Sequence, residues 1–148
     1  MPNTVVSACD ISPEALLIAR DNAIRLGAAV NFQLKDALQL AATEETFDII
    51  VSNPPYICDS ERTEMMQNVL DHEPPTALFV PDDDPLRFYR AIAEYGTTAL
   101  SHGGELYFEI NDRFADEVSA MLNALGYAGT EVRTDQFGKQ RFVKTMRA

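Results

Sequence analysis

Three features of the sequence predict an α/β fold with a mostly parallel sheet. Strand-like and helix-like segments alternate along the chain, helices stop at glycines, and the last stretch reads as a hairpin that adds an antiparallel edge. At 148 residues the chain has the length of a single domain with a core of its own.

The elements follow in order. Val5-Val6-Ser7-Ala8-Cys9 is a short apolar strand that ends at Asp10. Ser12 suits a helix N-cap, Pro13 the first helical position and Glu14 the first turn. The helix carries Leu16, Ala19, Ala23 and Ile24 on one face and stops at Gly27. Val30 to Leu34 is a second strand that runs into Lys35-Asp36. Residues 37–46 read as a short helix or loop, and Phe47 to Ser52 as a third strand. From Asp59 to Asp84 the chain is polar, with Pro74-Pro75 and Pro81, and reads as a long connection holding a short helix near Thr63 to Leu70. Asp84-Pro85 is expected to cap a helix carrying Leu86, Tyr89, Ile92, Ala93 and Leu100, which Gly103-Gly104 ends. Leu106 to Ile110 follows as a strand. A helix with Phe114, Val118, Met121, Leu122 and Leu125 then runs to Gly126. Strands near Gly129 to Thr134 and Arg141 to Thr145 close the chain through the turn Asp135-Gln136-Phe137-Gly138.

In open α/β sheets, ligands bind beyond the carboxyl ends of the strands, and three polar signals fall there: Asp10, Asp36 and Asn53. A carboxylate at such a position can accept both hydroxyls of a ribose. The alternative role for Asp10 is a turn or helix-entry aspartate that competes with Ser12. The third strand ends at Asn53-Pro54-Pro55-Tyr56. Each proline has a locked φ and no N–H, so the turn is stiff and its carbonyls are free to face a ligand. Asn53 adds a side-chain acceptor and donor, and Tyr56 a flat wall. Such a turn can grip a planar group bearing an NH2, either an amide or the exocyclic amine of adenine. The three positions together point to a nucleoside-bearing cofactor, with the reacting group at Asn53.

Composition excludes several classes of protein. The net charge of −11 argues against a partner held mainly through phosphate contacts, which would need clustered Lys and Arg. Cys9 and Cys58 lie far apart with only His72 and His102 beside them, so structural zinc is not expected. The two cysteines read as reduced thiols of a cytoplasmic protein. No apolar run reaches membrane-spanning length. Asp82-Asp83-Asp84 resembles a metal cluster only superficially, and His72 reads as a surface residue. Glu73-Pro74 could line a substrate cleft, whereas Phe88, Tyr89 and Tyr95 lie at helical spacing and belong to the core.

Several of these residues also carry a family likeness. Asp10-Ile11-Ser12, Ala15-Leu16, Ala19, Asn22-Ala23 and Gly27 resemble the second motif of class I S-adenosylmethionine-dependent methyltransferases. Val51 to Ile57 resembles the fourth motif of the protein-glutamine N5-methyltransferases that modify peptide chain release factors. Glu73-Pro74 with Ala77-Leu78, Phe88-Tyr89-Arg90 with Ile92, Gly103-Gly104, Glu109-Ile110, Gly126-Tyr127, and the Asp135, Gly138 and Arg141 pattern match that family in order. The Asn-Pro-Pro-Tyr turn alone is shared with adenine-N6 methyltransferases of DNA or RNA; the ordered set is specific to the glutamine enzymes.

The resemblance implies S-adenosyl-L-methionine as cofactor and a Rossmann-like methyltransferase sheet with the C-terminal hairpin. The catalytic turn would be Asn53, Pro54, Pro55 and Tyr56. Asn53 Oδ1 and the Pro54 carbonyl would accept the two amide hydrogens of a release-factor glutamine, and Tyr56 would pack on the amide plane. Asp10 would hold the ribose, with Asp36 and Ala37 beside the adenine; Asn53 also borders the cofactor. No metal is implied, and no general base is evident. The family's glycine-rich first motif and central first strand have no counterpart before Val5, nor does the separate substrate-recognition domain. Residues 1–148 are therefore expected to form a partial methyltransferase domain that binds cofactor weakly and presents unpaired sheet edges prone to self-association. An inactive remnant acting as a binding module is the reading from another class. Asn111 is a second departure, at a position where the family usually has glycine.

Overall fold

The computed structural model describes residues 4–64 and 74–148. His72, Glu73 and most of the short helix expected from Thr63 to Leu70 lie outside the described residues. The chain divides into two compact units, Met1–Leu40 and Ala41–Ala148.

In the first unit, β1 (Val6–Asp10) and β2 (Val30–Leu34) pair in parallel from Val6 opposite Val30 to Asp10 opposite Leu34. Helix α1 (Pro13–Leu26) joins them. Its first turn is built as the sequence predicts: Ser12 Oγ accepts the Ala15 N–H at 3.1 Å, and Pro13 opens the helix. Gly27 ends it at φ 64°, a left-handed conformation that glycine adopts without a Cβ penalty. The inward face is narrower than expected. Leu16 is buried, whereas Ile24 is exposed. Ser12→Ala leaves one N–H of the first turn without its acceptor. It should cost about 1 kcal/mol, read as a lower unfolding midpoint.

The second unit holds a four-stranded sheet in the order β3-β6-β8-β7. These strands are β3 (Phe47–Ser52), β6 (Leu100–Glu109), β7 (Tyr127–Thr134) and β8 (Gln140–Arg147). β3 and β6 are parallel; β8 is antiparallel to both β6 and β7, which forms the expected closing hairpin. Gly138 (φ 82°) and Asp135, whose Oδ1 accepts the N–H groups of Phe137 and Lys139, shape the hairpin turn. Helices α3 (Arg87–Ala99) and α4 (Ala115–Ala124) supply the other half of the core. Tyr89, Ile92, Val118 and Leu122 are buried, as are Leu106, Phe108 and Val143 of the sheet. The Tyr89 and Phe108 rings meet edge to face at 5.3 Å.

Three sequence expectations fail here. The connection after β3 is more ordered than its composition suggests: β4 (Ile57–Cys58) pairs in parallel with β5 (Phe79–Val80), which follows the four-residue helix α2 (Pro75–Leu78). Two-residue strands are too short to show a period, so the sequence could not reveal them. Helix α3 starts at Arg87 rather than at Pro85; the Asp84 carboxylate grips the Arg90 guanidinium at 3.1 and 3.2 Å instead of capping. The same helix stops at Ala99, because β6 begins at Leu100 and runs through Gly103-Gly104. The unpaired sheet edges, by contrast, are as the sequence leads one to expect. Among the described residues β1 pairs only with β2, and β3 only with β6. Val51 of β3 is 74 % exposed.

Candidate functional site at the end of β3

β3 delivers Asn53 into solvent while the next residue, Pro54, is buried. A buried ring at the second position anchors the turn, so the amide before it projects from a fixed base. The Asn53 amide enters no hydrogen bond among the described residues, which leaves its acceptor and donors available to a ligand. A concavity of about 600 Å³ opens beside it, lined by Val51, Asn53, Tyr107, Glu109, Phe142 and Lys144 among others.

Tyr56 is held at its tip: its hydroxyl donates to Glu109 Oε1 at 2.7 Å. Partial burial and the Glu109 carboxylate push the phenol up to about 12, so it stays protonated at neutral pH and donates to Glu109. Behind the turn lies a polar cluster that the sequence does not announce. Glu61 accepts the Cys58 N–H at 2.9 Å and the Asn111 amide at 2.9 Å, and pairs with Arg113 at 3.3 Å. Burial works against its charge, yet these donors hold its pKa below the usual carboxylate value. Burial, with Glu61 nearby, also pushes the Cys58 thiol up to about 11, which keeps it inert.

A depressed carboxylate adds stability above its unfolded pKa and loses it as pH falls through the folded value. The stability gap between the parent and Glu61→Gln should therefore be full at pH 7 and close on acidification below about pH 4. Unfolding midpoints across that range measure it.

The cofactor-side candidates belong to the first unit. Asp10 ends β1, and its Oδ1 accepts the Ser12 N–H at 2.7 Å, so it makes the turn bond weighed as the alternative role. Its Oδ2 has no partner among the described residues and the side chain is exposed, so the turn bond orients a carboxylate that still has an open acceptor. Asp36 caps the single helical turn Ala37–Gln39: Oδ1 accepts the Leu38 N–H at 2.8 Å, and Oδ2 the Gln39 amide at 2.9 Å. Ala37 opens that turn and offers only backbone and a methyl group. The aspartate run takes structural partners instead: Asp82 accepts from Ser60, and Asp84 from Arg90.

A helix-flanked sheet with a polar turn beyond the carboxyl end of a strand defines an α/β protein of the ligand-binding kind. The chain belongs to the methyltransferase domain family, whose pattern matches residues 1–75. It is 49% identical over 148 residues to a release factor glutamine methyltransferase of Bacteroides thetaiotaomicron, covering 99% of this chain and 53% of that protein. The chain thus spans about half the length of the curated relatives it matches. Among solved structures, a methyltransferase from Pyrococcus furiosus superposes with a TM-score of 0.70 at 18% identity, over 99% of this chain and 64% of that one. The N-methyltransferase NodS of Bradyrhizobium japonicum, in complex with S-adenosyl-L-homocysteine, gives 0.58 at 18% identity, over 97% and 66%. At such identities the likeness concerns the fold. Among the described residues no helix is long and apolar enough to cross a membrane.

Proposed function

We propose that the chain takes part in methyl transfer from S-adenosyl-L-methionine to the side-chain amide nitrogen of a glutamine in a peptide chain release factor. The observation that carries this is the exposed, unengaged Asn53 amide on a turn anchored by buried Pro54 and by Tyr56. The release factor glutamine methyltransferase that is 49% identical supports the same substrate.

An amide nitrogen is a poor nucleophile because its lone pair is shared with the carbonyl. Asn53 Oδ1 and the Pro54 carbonyl accept the two N–H groups of the substrate amide, which aligns the nitrogen and favours positive charge building on it. Tyr56 packs against the amide plane. The chain supplies alignment and electrostatics rather than a base, and the proton leaves after transfer. The cofactor, when bound, supplies an electrophilic methyl on a sulfonium. Asp10, with Oδ2 open, fits a ribose diol; Asp36 and Ala37 form the adenine-side turn. Among the described residues β1 and β3 each have an edge without a strand partner, which supports association with a further strand, and light scattering across a concentration series tests whether a second copy provides it.

Labelled methyl transfer should appear on release factor and be absent from DNA. Labelling of DNA alone would establish adenine-N6 chemistry instead, and calorimetry without detectable S-adenosylmethionine binding would favour a non-catalytic binding module.

A further inference from the structure

Asn111 stands just beyond β6 and is only 5 % exposed, a buried polar side chain with every polar atom in use. Its Nδ2 donates both to the Tyr56 carbonyl at 3.1 Å and to Glu61 Oε2 at 2.9 Å. Its Oδ1 accepts the Arg113 N–H at 3.1 Å. Its own N–H donates to the Tyr89 hydroxyl at 3.3 Å, and its carbonyl accepts the Phe114 N–H at 3.1 Å. Glu61 carries the connection onward, because the same oxygen accepts the Cys58 N–H. One amide therefore ties the end of β6 to both residues flanking Ile57.

Tyr56 is consequently gripped at two points by residues two apart in sequence: Glu109 holds its hydroxyl and Asn111 its carbonyl. That double grip matters because of what precedes Tyr56. Pro54 and Pro55 have locked φ angles, so the turn moves nearly as one piece, and fixing the far end fixes the direction of the near end. A buried amide with two well-made donations is a rigid support of that kind.

We propose that Asn111 is a positioning residue for the acceptor turn: it fixes the Tyr56 carbonyl and Glu61, and through them the aim of Asn53 and the Pro54 carbonyl. This rests on the methyl-transfer reading above. Asn111 touches no reacting atom; it acts through Tyr56. Losing its side chain leaves Tyr56 a carbonyl without that donor and Glu61 a carboxylate short of one partner. The turn loosens while the core of α3, α4 and β6 keeps its packing.

The test uses the whole chain and two independent readouts. Amide exchange by NMR reports the clamp directly. In Asn111→Ala, the Cys58 N–H should exchange about ten- to a hundredfold faster, with the core amide of Val143 little changed. Methyl transfer to release factor reports the consequence: kcat should fall by at least about tenfold with KM for the release factor nearly unchanged, as expected when only transition-state alignment is lost. Should Asn111→Ala fail to fold, Asn111→Leu keeps the branched shape and removes both donations without adding a charge beside Glu61. Unchanged Cys58 protection, or a kcat at the parent value, overturns the proposal. If the parent chain transfers no methyl group at all, the methyl-transfer reading fails, and the exchange readout alone decides whether Asn111 holds the turn.

Discussion

Asn53→Ala should reduce methyl transfer by about a hundredfold or more, the scale of deleting one preorganised partner of a developing charge. As the nitrogen attacks, its lone pair leaves the carbonyl system and its hydrogens become more acidic. An acceptor fixed at Asn53 Oδ1 then binds the transition state more tightly than the ground state, so the loss should fall on kcat rather than KM. The fold should be indifferent. Asn53 is exposed, and its amide supports no other group among the described residues. Pro54 and the Tyr56–Glu109 bond still anchor the turn. Unfolding free energy should stay within about 0.5 kcal/mol of the parent. Transfer kinetics beside a denaturation curve measure both, and a variant that methylates at the parent rate would remove Asn53 from the mechanism.

What the sequence shows and hides follows from the range of the forces involved. Ser12, Pro13 and Gly27 act within one helical turn, so the limits of α1 are legible from neighbouring residues alone. β2 and β3 are apolar runs and fall at Val30–Leu34 and Phe47–Ser52, where the pattern places them. Side-chain partners overturn backbone-capping signals elsewhere. Asp84 has the look of a cap, but Arg90 on the next turn offers two donors, and a bidentate ion pair outcompetes one backbone N–H. The Asn-Pro-Pro-Tyr turn was readable because stiffness and polarity are local properties. Its support was not: Glu109 and Asn111 reach Tyr56, and Asn111 reaches Glu61, only once β6 lies beside β3. The one available signal was Asn111 itself, an amide where the resembled family usually has glycine.

Gly104→Ala should be strongly damaging for so small a substitution, costing about 3 kcal/mol, or roughly 10 °C in the unfolding midpoint of a chain this size. Glycines after a helix suggest a stop signal, but Gly104 lies inside β6 at a close approach of backbones. A Cβ there would sit 2.9 Å from the Ser101 carbonyl oxygen and 3.2 Å from those of Phe47 and Asp48. Those atoms belong to main chain, which cannot swing aside as a side chain can. The pairing is already irregular here: Phe47 faces Leu100 while Ile49 faces Glu105, so β6 folds its extra residues around the start of β3. Gly103 makes the matched control. It adopts φ 78° with open space around its Cβ position, so alanine there meets only left-handed backbone strain of about 1 kcal/mol. If steric contact governs, Gly104→Ala must be much the weaker of the two in urea; equal stabilities would show that the strand accommodates the methyl group. Because β3 leads directly into Asn53, the displaced strand should also carry the turn out of line. Gly104→Ala should then lower kcat under conditions where it is still folded, whereas Gly103→Ala should not.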